Sequence, residues 1–508
     1  MNERIVVIDF GSQYNQLIVR RIRDHGVYAE LIEPQAFDFD DLVGIKGIIF
    51  SGGPNSVYDQ GAPTIDQKIF DLGIPILGIC YGMQLIVHMF KGEVQSTTHR
   101  EYGLTSLNLS KPNALTDGLP NTFNVWMSHG DLVTKLPSDF QSLAESLTTK
   151  NALISHQTSP IYGMQFHPEV RNTTYGLEMI EHFLSRVCKV SKDWSMPNFI
   201  KEQSVKIKEV VGRKHVICGL SGGVDSSVVA ALLHHVIKDQ FTPIFIDHGL
   251  LRKDEAEEVQ KTFQNQLNMN LITIDAKKLF LSRLKGVTDP EEKRKVIGHA
   301  FIEVFEQATQ TIDDVDFLAQ GTLYTDVIES GTKTAHKIKS HHNVGGLPDV
   351  MKLKLLEPLN TLFKDEVRAL GLALGLNHDL AYRQPFPGPG LAIRILGEVT
   401  EEKIKMVQES DYIFRKVIKD HHLDEVIWQY FTVLTPLQTV GVMGDQRTYE
   451  YVLVLRAVTS IDGMTADFAM IPYDVLKIVS TKIINEVKGI NRVVYDITSK
   501  PPGTIEWE

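Results

Sequence analysis

Twice in this chain a short apolar run ends in a glycine-rich turn that opens straight onto a helical pattern. The run at 74–79 passes into Gly78-Ile79-Cys80-Tyr81-Gly82, and the run at 215–218 passes into Ser221-Gly222-Gly223-Val224-Asp225-Ser226. A strand–turn–helix unit returns the chain across one face of a sheet, so the next strand lies parallel to the first. The same alternation continues around each turn. Apolar runs at 5–8, 48–50 and 74–79 read as buried strands, with helical stretches at 16–23 and 83–90. Runs at 215–218, 243–247, 271–275 and 316–320 repeat the scheme, with a helix at 227–237. The expected fold class is α/β, with two doubly wound parallel-sheet domains followed by a smaller α+β domain.

The expected boundaries follow changes of pattern. Residues 1–190 form the first domain, and the polar stretch Ser191-Lys192-Asp193-Trp194-Ser195-Met196-Pro197 reads as a linker. Residues 191–383 form the second. Past Gln384-Pro385-Phe386-Pro387-Gly388-Pro389-Gly390, helices at 401–419 and 475–487 flank an alternating run at 449–457, which marks 384–508 as the third. A length of 508 residues suits about three domains at about 100–200 residues each.

Hydrophobic residues at 43% and charged residues at 23% match an ordinary globular protein. The net charge of -11 argues against a nucleic-acid or membrane surface, whose footprints are basic. Three cysteines, Cys80, Cys188 and Cys218, make no disulfide framework and fit a reducing compartment. With neither a signal peptide at the amino terminus nor an apolar run of membrane-spanning length, the expected location is cytoplasmic.

Gly-x-Cys-x-Gly after a strand has the form of a nucleophile elbow, which holds the side chain proud of the sheet while small neighbours avoid crowding it. A helix start favours an anionic sulfur there. A base is still required, and Gln165-Phe166-His167-Pro168-Glu169 offers His167 with Glu169 two positions on. Together these residues resemble the class I, or triad, glutamine amidotransferases. That resemblance implies Cys80 as nucleophile, His167 as general base and acid, and Glu169 as the group that orients the histidine. It also implies backbone amides of Gly53, in Ser51-Gly52-Gly53-Pro54, and of Tyr81 as the oxyanion donors, with Gln84, Ser128 and Asp131 on the glutamine substrate. His129, within Ser128-His129-Gly130-Asp131, reads equally as part of the segment that holds the substrate backbone or as a loop histidine without a chemical role.

The second turn has glycines that let backbone N–H groups converge on phosphate at a helix start. It lacks Gly-x-x-x-x-Gly-Lys-Ser/Thr, which disfavours a P-loop enzyme. It resembles the N-type ATP pyrophosphatases, which split ATP between the α and β phosphates. By that resemblance Ser221, Gly222, Gly223, Val224, Asp225, Ser226 and Ser227 bind ATP, with Asp247 an adenosine-side candidate. Asp225 is either a Mg²⁺ or lid contact or the cap of its own helix. A glycine-containing polar segment from Gly321 to Pro348 reads as a lid carrying Asp326, Glu329 and Lys339, the last a cation for phosphate or a solvated lysine.

In this order the two motifs resemble the GMP synthetase family, and the likeness runs to the carboxyl terminus through Val440-Gly441-Val442-Met443-Gly444-Asp445 and Pro501-Pro502-Gly503-Thr504-Ile505-Glu506-Trp507-Glu508. It implies that XMP is aminated to GMP through an adenylyl-XMP intermediate, with Arg294, Arg492, Lys500 and Glu506 contacting XMP. The implied small-molecule partners are XMP, ATP and L-glutamine, with Mg²⁺ accompanying ATP, no tightly bound organic cofactor or structural metal, and a homodimer built by the third domain. The nearest rivals are other glutamine-dependent ATP pyrophosphatase ligases, which lack this tail, and a nucleotide-sensing protein of the same fold without turnover.

Overall fold

The computed structural model describes residues 3–331, 353–460 and 465–508. They form two compact units, Met1–Glu202 and Gln203–Glu508.

The first unit is built on nine strands: β1 (Arg4–Ile8), β2 (Ala29–Ile32), β3 (Ile45–Phe50), β4 (Ile76–Ile79), β5 (Glu93–Leu109), β6 (Thr122–Lys135), β7 (Phe140–Glu145), β8 (Leu153–His156) and β9 (Ile161–Met164). Their order is β2-β1-β3-β4-β9-β8-β7-β5-β6. From β2 to β9 every pairing is parallel. Val6, Val7, Ile48, Ile49 and Leu77 are buried on both faces of the sheet, as a parallel sheet covered by helices requires. Beyond β9 the pairings turn antiparallel. The alternation rule for parallel units did not foresee this half. Its sign is the in-and-out burial of β6, the mark of a sheet with one wet face.

In the stretch Ser191 to Pro197, expected to be a linker, Ser191, Lys192, Ser195 and Pro197 are exposed but Trp194 is packed. Trp194 is buried; its ring lies 5.0 Å from that of Tyr28 and its backbone N–H donates to the Gly26 carbonyl at 2.9 Å. The Arg23 guanidinium sits 5.0 Å from both ring centroids. A polar composition concealed one aromatic anchor.

In the second unit β10 (His215–Leu220), β11 (Phe241–Asp247), β12 (Ile272–Asp275), β13 (Val315–Ala319) and β14 (Lys354–Leu356) form a sheet in the order β12-β11-β10-β13-β14. All its pairings are parallel. A second sheet pairs β15 (Gln429–Met443) with β16 (Gln446–Thr459) as a long hairpin, and β17 (Asp467–Phe468) and β18 (Ile490–Asp496) also pair with β16. Helices Glu401–Asp420 and Tyr473–Glu486 cover it. One hydrophobic cluster joins both sheets, running from Ile217 and Ile244 through Leu391 to Phe414, Leu453 and Val479. Among the described residues no helix is long and apolar enough to cross a membrane.

Candidate active sites

At the end of β4, Cys80 takes φ 52° and ψ -107° and caps the helix Tyr81–Met89. A positive φ is strained for a residue with a Cβ, and it is held here by the Cys80 N–H donating to the Met164 carbonyl on β9 at 2.7 Å. The flanking glycine serves the turn differently from expectation. A Cβ on Gly82 would fall 2.5 Å from the Phe50 carbonyl oxygen, so it is the approach of helix to strand, more than room around the thiol, that excludes a side chain. Tyr81 opens the helix, so its N–H belongs to the first-turn donors without an intrahelical acceptor. Gly53 lies beside it, since a Cβ there would meet the Tyr81 ring at 3.3 Å.

His167 and Glu169 are both buried, and His167 Nδ1 lies 2.7 Å from Glu169 Oε1. Burial disfavours the imidazolium, but the Glu169 carboxylate and a hydrogen bond with the Cys80 sulfur outweigh it and hold the His167 pKa well above the ordinary histidine value. The Tyr14 ring meets the imidazole edge-on at 5.3 Å, and Arg21 Nε donates to the Glu169 carbonyl at 3.1 Å. These contacts fix the ring in one plane facing the sulfur.

Cys80 and His167 open on a cavity of about 510 Å³, whose lining also includes Gly53, Gln84, Ser128 and Asp131, with Glu169 buried behind the histidine. The Cys80 thiol donates to the Ser128 carbonyl at 3.7 Å, and Gln165 Nε2 donates to the sulfur at 3.7 Å. Gln84 is buried, and its amide nitrogen donates to the Asp131 carbonyl at 2.8 Å and to Gln165 Oε1 at 3.2 Å. Gln165 therefore joins two expected site residues. It stands two positions before His167 in a motif read for its histidine alone. His129, expected in a loop, is a buried residue of β6.

The second expected site lies at the β10 end. Gly222 has φ 76°, which glycine alone adopts freely, and this turns the loop so that Gly223 caps the helix Val224–Ile237. Ser221 Oγ and Ser226 Oγ are 3.0 Å apart, and Ser227 Oγ donates to the Gly223 carbonyl at 2.6 Å. Arg383 braces the loop from a distant segment: its Nη1 donates to the Gly222 carbonyl at 2.9 Å and to Glu255 Oε1 at 2.8 Å. Lys364 Nζ donates to both Asp225 oxygens, at 2.6 and 2.7 Å. Neither Arg383 nor Lys364 belongs to a local motif, so the sequence did not reveal them. The metal expectation at Asp225 meets a carboxylate that is paired with an ammonium group. Among the described residues no three His, Cys, Asp or Glu side chains cluster as metal ligands.

Asp247 ends β11, with Oδ1 accepting from the Gly249 N–H at 3.0 Å and Oδ2 lying 3.0 Å from Lys277 Nζ. Of the lid residues, Asp326 caps the turn before its own helix, its Oδ2 accepting from the Leu323 N–H at 2.8 Å. The Glu329 side chain and Lys339 lie outside the described residues.

The carboxyl terminus is held by buried cations. Arg394, fully buried, donates through Nε and Nη2 to the two Glu506 oxygens at 3.1 and 2.8 Å, and Gln429 Nε2 adds a bond at 2.9 Å. Lys293, also fully buried, donates to Glu508 Oε2 at 2.6 Å, and Arg294 Nη2 donates to the Glu508 main-chain oxygen at 2.6 Å. Arg294 and the tail that carries Glu506 are therefore neighbours. Arg492 is exposed on β18 and donates to Thr439 Oγ1 at 3.2 Å, while the Lys500 backbone bridges to Ala466.

Family models match the chain in three places: the class-I glutamine amidotransferase model over residues 6–187, the NAD synthase model over 196–297 and the GMP synthase C-terminal domain model over 416–507. The GMP synthase [glutamine-hydrolyzing] of Geobacillus kaustophilus is 60% identical over 508 residues, covering 100% of this chain and 99% of that one. The chain belongs to the glutamine-hydrolysing GMP synthase family. The relatives named GMP synthase [glutamine-hydrolyzing] from Bacillus subtilis and Listeria monocytogenes are 59% and 58% identical, again across 100% of this chain. Within this chain, the amidotransferase match contains Cys80, His167 and Glu169, and the NAD synthase match contains the 221–226 loop and Asp247. The C-terminal match contains Arg492, Lys500 and Glu506, whereas Arg294 falls in the NAD synthase match.

Proposed function

We propose that this enzyme aminates XMP with ammonia from L-glutamine and drives the step by cleaving ATP to AMP and pyrophosphate. The observation that carries the glutaminase half is the buried Glu169–His167 pair directed at a sulfur on a helix start. In this reading Cys80 Sγ attacks the glutamine side-chain carbonyl, and the oxyanion is met by the Gly53 and Tyr81 amides. His167 hands a proton to the departing ammonia and then takes one from the water that hydrolyses the thioester, giving glutamate. Gln84, Ser128 and Asp131 hold the amino-acid end of the substrate.

The synthetase half places ATP phosphates on the 221–227 loop. The 2-oxygen of XMP attacks the α-phosphorus and pyrophosphate leaves; ammonia then attacks C2 and AMP leaves, giving GMP. Two helix starts and the Lys364 ammonium supply positive potential for the phosphates, and Mg²⁺ enters as the counter-ion of ATP. For XMP, Arg294, Arg492 and Lys500 suit the phosphate. Glu506 suits a ring or ribose donor, because Arg394 and Gln429 use three of roughly four acceptor positions on its carboxylate. Leu437, Val440, Val442 and Tyr449 are exposed on the β15–β16 hairpin and favour a homodimer through the 384–508 region. A cytoplasmic location suits the free cysteines Cys80, Cys188 and Cys218.

Product analysis with XMP, ATP, Mg²⁺ and glutamine tests the reading. GMP, AMP and pyrophosphate in equal amounts are expected; ADP in place of AMP rejects adenylylation.

A further inference from the structure

One buried carboxylate beside the glutaminase cavity has no part in the mechanism above. Glu101 stands directly opposite His129 in the β5–β6 pairing, and both side chains are buried. Burial alone would raise its pKa. Hydrogen bonds with His129, Thr149, Thr148 and Ser146 reverse that and hold it down at about 2, so the group is a permanent anion in the working range. Ser146 Oγ donates at 3.0 Å and Thr149 Oγ1 at 2.8 Å, while His129 Nε2 lies 3.4 Å from Glu101 Oε2. A fixed buried charge with this many donors is costly to assemble unless it holds something in place.

What it holds is the wall of the cavity. The other ring nitrogen of His129, Nδ1, lies 3.0 Å from the Asp131 carbonyl oxygen; since a carbonyl only accepts, Nδ1 carries the hydrogen, and the 3.4 Å contact of Nε2 with Glu101 is an ion pair when Nε2 carries one as well. The same carbonyl accepts from Gln84 Nε2, whose second bond reaches Gln165 Oε1, and Gln165 Nε2 in turn donates to the Cys80 sulfur. One chain of contacts thus runs from Glu101, across 3.4 Å to His129, and then by hydrogen bonds through Asp131, Gln84 and Gln165 to the nucleophile. The register of β5 against β6 shifts between Ser96 and Glu101, so among the described residues Gly130 has no partner on β5 between the paired residues His129 and Asp131.

We propose that Glu101 is a positioning residue for glutamine: through His129 it fixes the Ser128–Asp131 segment at the spacing that the amino-acid end of the substrate requires. It touches neither substrate nor nucleophile. This rests on the glutaminase reading of the cavity. The consequence is a loss weighted toward KM for glutamine, because the segment orients the substrate while Cys80 and His167 keep their geometry.

The test is steady-state kinetics of Glu101→Gln, Glu101→Asp, His129→Gln and the double variant, with glutamine and separately with ammonium as nitrogen donor. For Glu101→Gln we expect KM for glutamine to rise about tenfold with kcat within about threefold. Ammonium-dependent synthesis stays at the wild-type level, which also reports an intact fold. Glu101→Asp restores most of the loss, and the double variant is no worse than His129→Gln, as for residues acting in series. An unchanged KM in Glu101→Gln, or additive losses in the double variant, overturns the proposal. Cys80→Ala run alongside separates the two levels: if it retains glutaminase activity, the reading of the cavity itself fails.

Discussion

The Lys364 ammonium bridges both carboxylate oxygens of Asp225 across 139 positions of sequence. Asp225 stands in the first turn of the helix Val224–Ile237, where a carboxylate suits the helix dipole. Lys364 opens the helix Lys364–Ala373, where a cation opposes the dipole. A lysine placed against the local field needs an anion, and Asp225 supplies it. Lys364→Ala should lower pyrophosphate release by about 100-fold with either nitrogen donor, the usual cost of one lost charge-stabilising donor. Measuring both donors matters, because a loss confined to glutamine would place Lys364 outside the ATP step.

Cys80→Ala should abolish glutamine-dependent GMP formation and leave ammonium-dependent formation intact. Rates with the two donors, taken on one preparation, decide it. An equal loss of both would mean that the two chemistries are not carried by separate residues.

The alkaline limb of the glutaminase pH profile should depend on Glu169. Against the opposing effect of burial, the Glu169 carboxylate and the Cys80 sulfur raise the His167 pKa. A raised value keeps the imidazolium protonated to higher pH, and the limb is lost as pH climbs through it. Glu169→Ala removes one of the raising charges, so the limb should move to lower pH as kcat/KM falls by about 100-fold. A profile unmoved in pH would show that Glu169 only supports the backbone.

His248 is buried, and burial pushes its pKa down from 6.5 to about 4, with the hydrogen-bonding acceptor Nδ1 turned toward the Leu250 N–H. An unfolded chain takes up a proton near 6.5 and the folded chain only near 4. Stability therefore falls as pH drops between those values, by up to roughly 3 kcal/mol. His248→Asn keeps an acceptor for Leu250 and removes the titration. Urea unfolding of the variant should show a flatter dependence between pH 7 and pH 4 than the parent; parallel curves would refute the assignment.

Glu508→Gln should cost about 3 kcal/mol, since it strands the fully buried Lys293 ammonium without its anion. Lys293→Met combined with Glu508→Leu should recover most of that loss. Denaturant midpoints of the three proteins report it, and an unchanged midpoint in the single variant would mean the tail is not held by this pair.

Local geometry written in contiguous residues was legible from sequence. Cys80 and the 221–226 turn each fix a strand, a tight turn and a helix, and the apolar periods around them located β1, β3, β4, β10 and β11. What escaped was whatever depends on long-range pairing. The antiparallel half of the first sheet carries alternating burial that the parallel-unit rule passes over. Glu101, Lys364 and Arg383 each meet a partner far along the chain and sit in no local motif. His129 looked like a loop residue because Gly130 beside it suggests a turn, whereas β6 continues through both.

Trp194 sets where the first unit can be cut. A fragment ending at 190 would leave the faces of Tyr28 and the Arg23 guanidinium open to water, whereas one ending at 202 carries its own cover in Trp194, with Phe199 packed against it at 5.9 Å. The sequence between the two catalytic modules is thus sealing material belonging to one of them. A split enzyme made from this chain should inherit the tryptophan on its amidotransferase half.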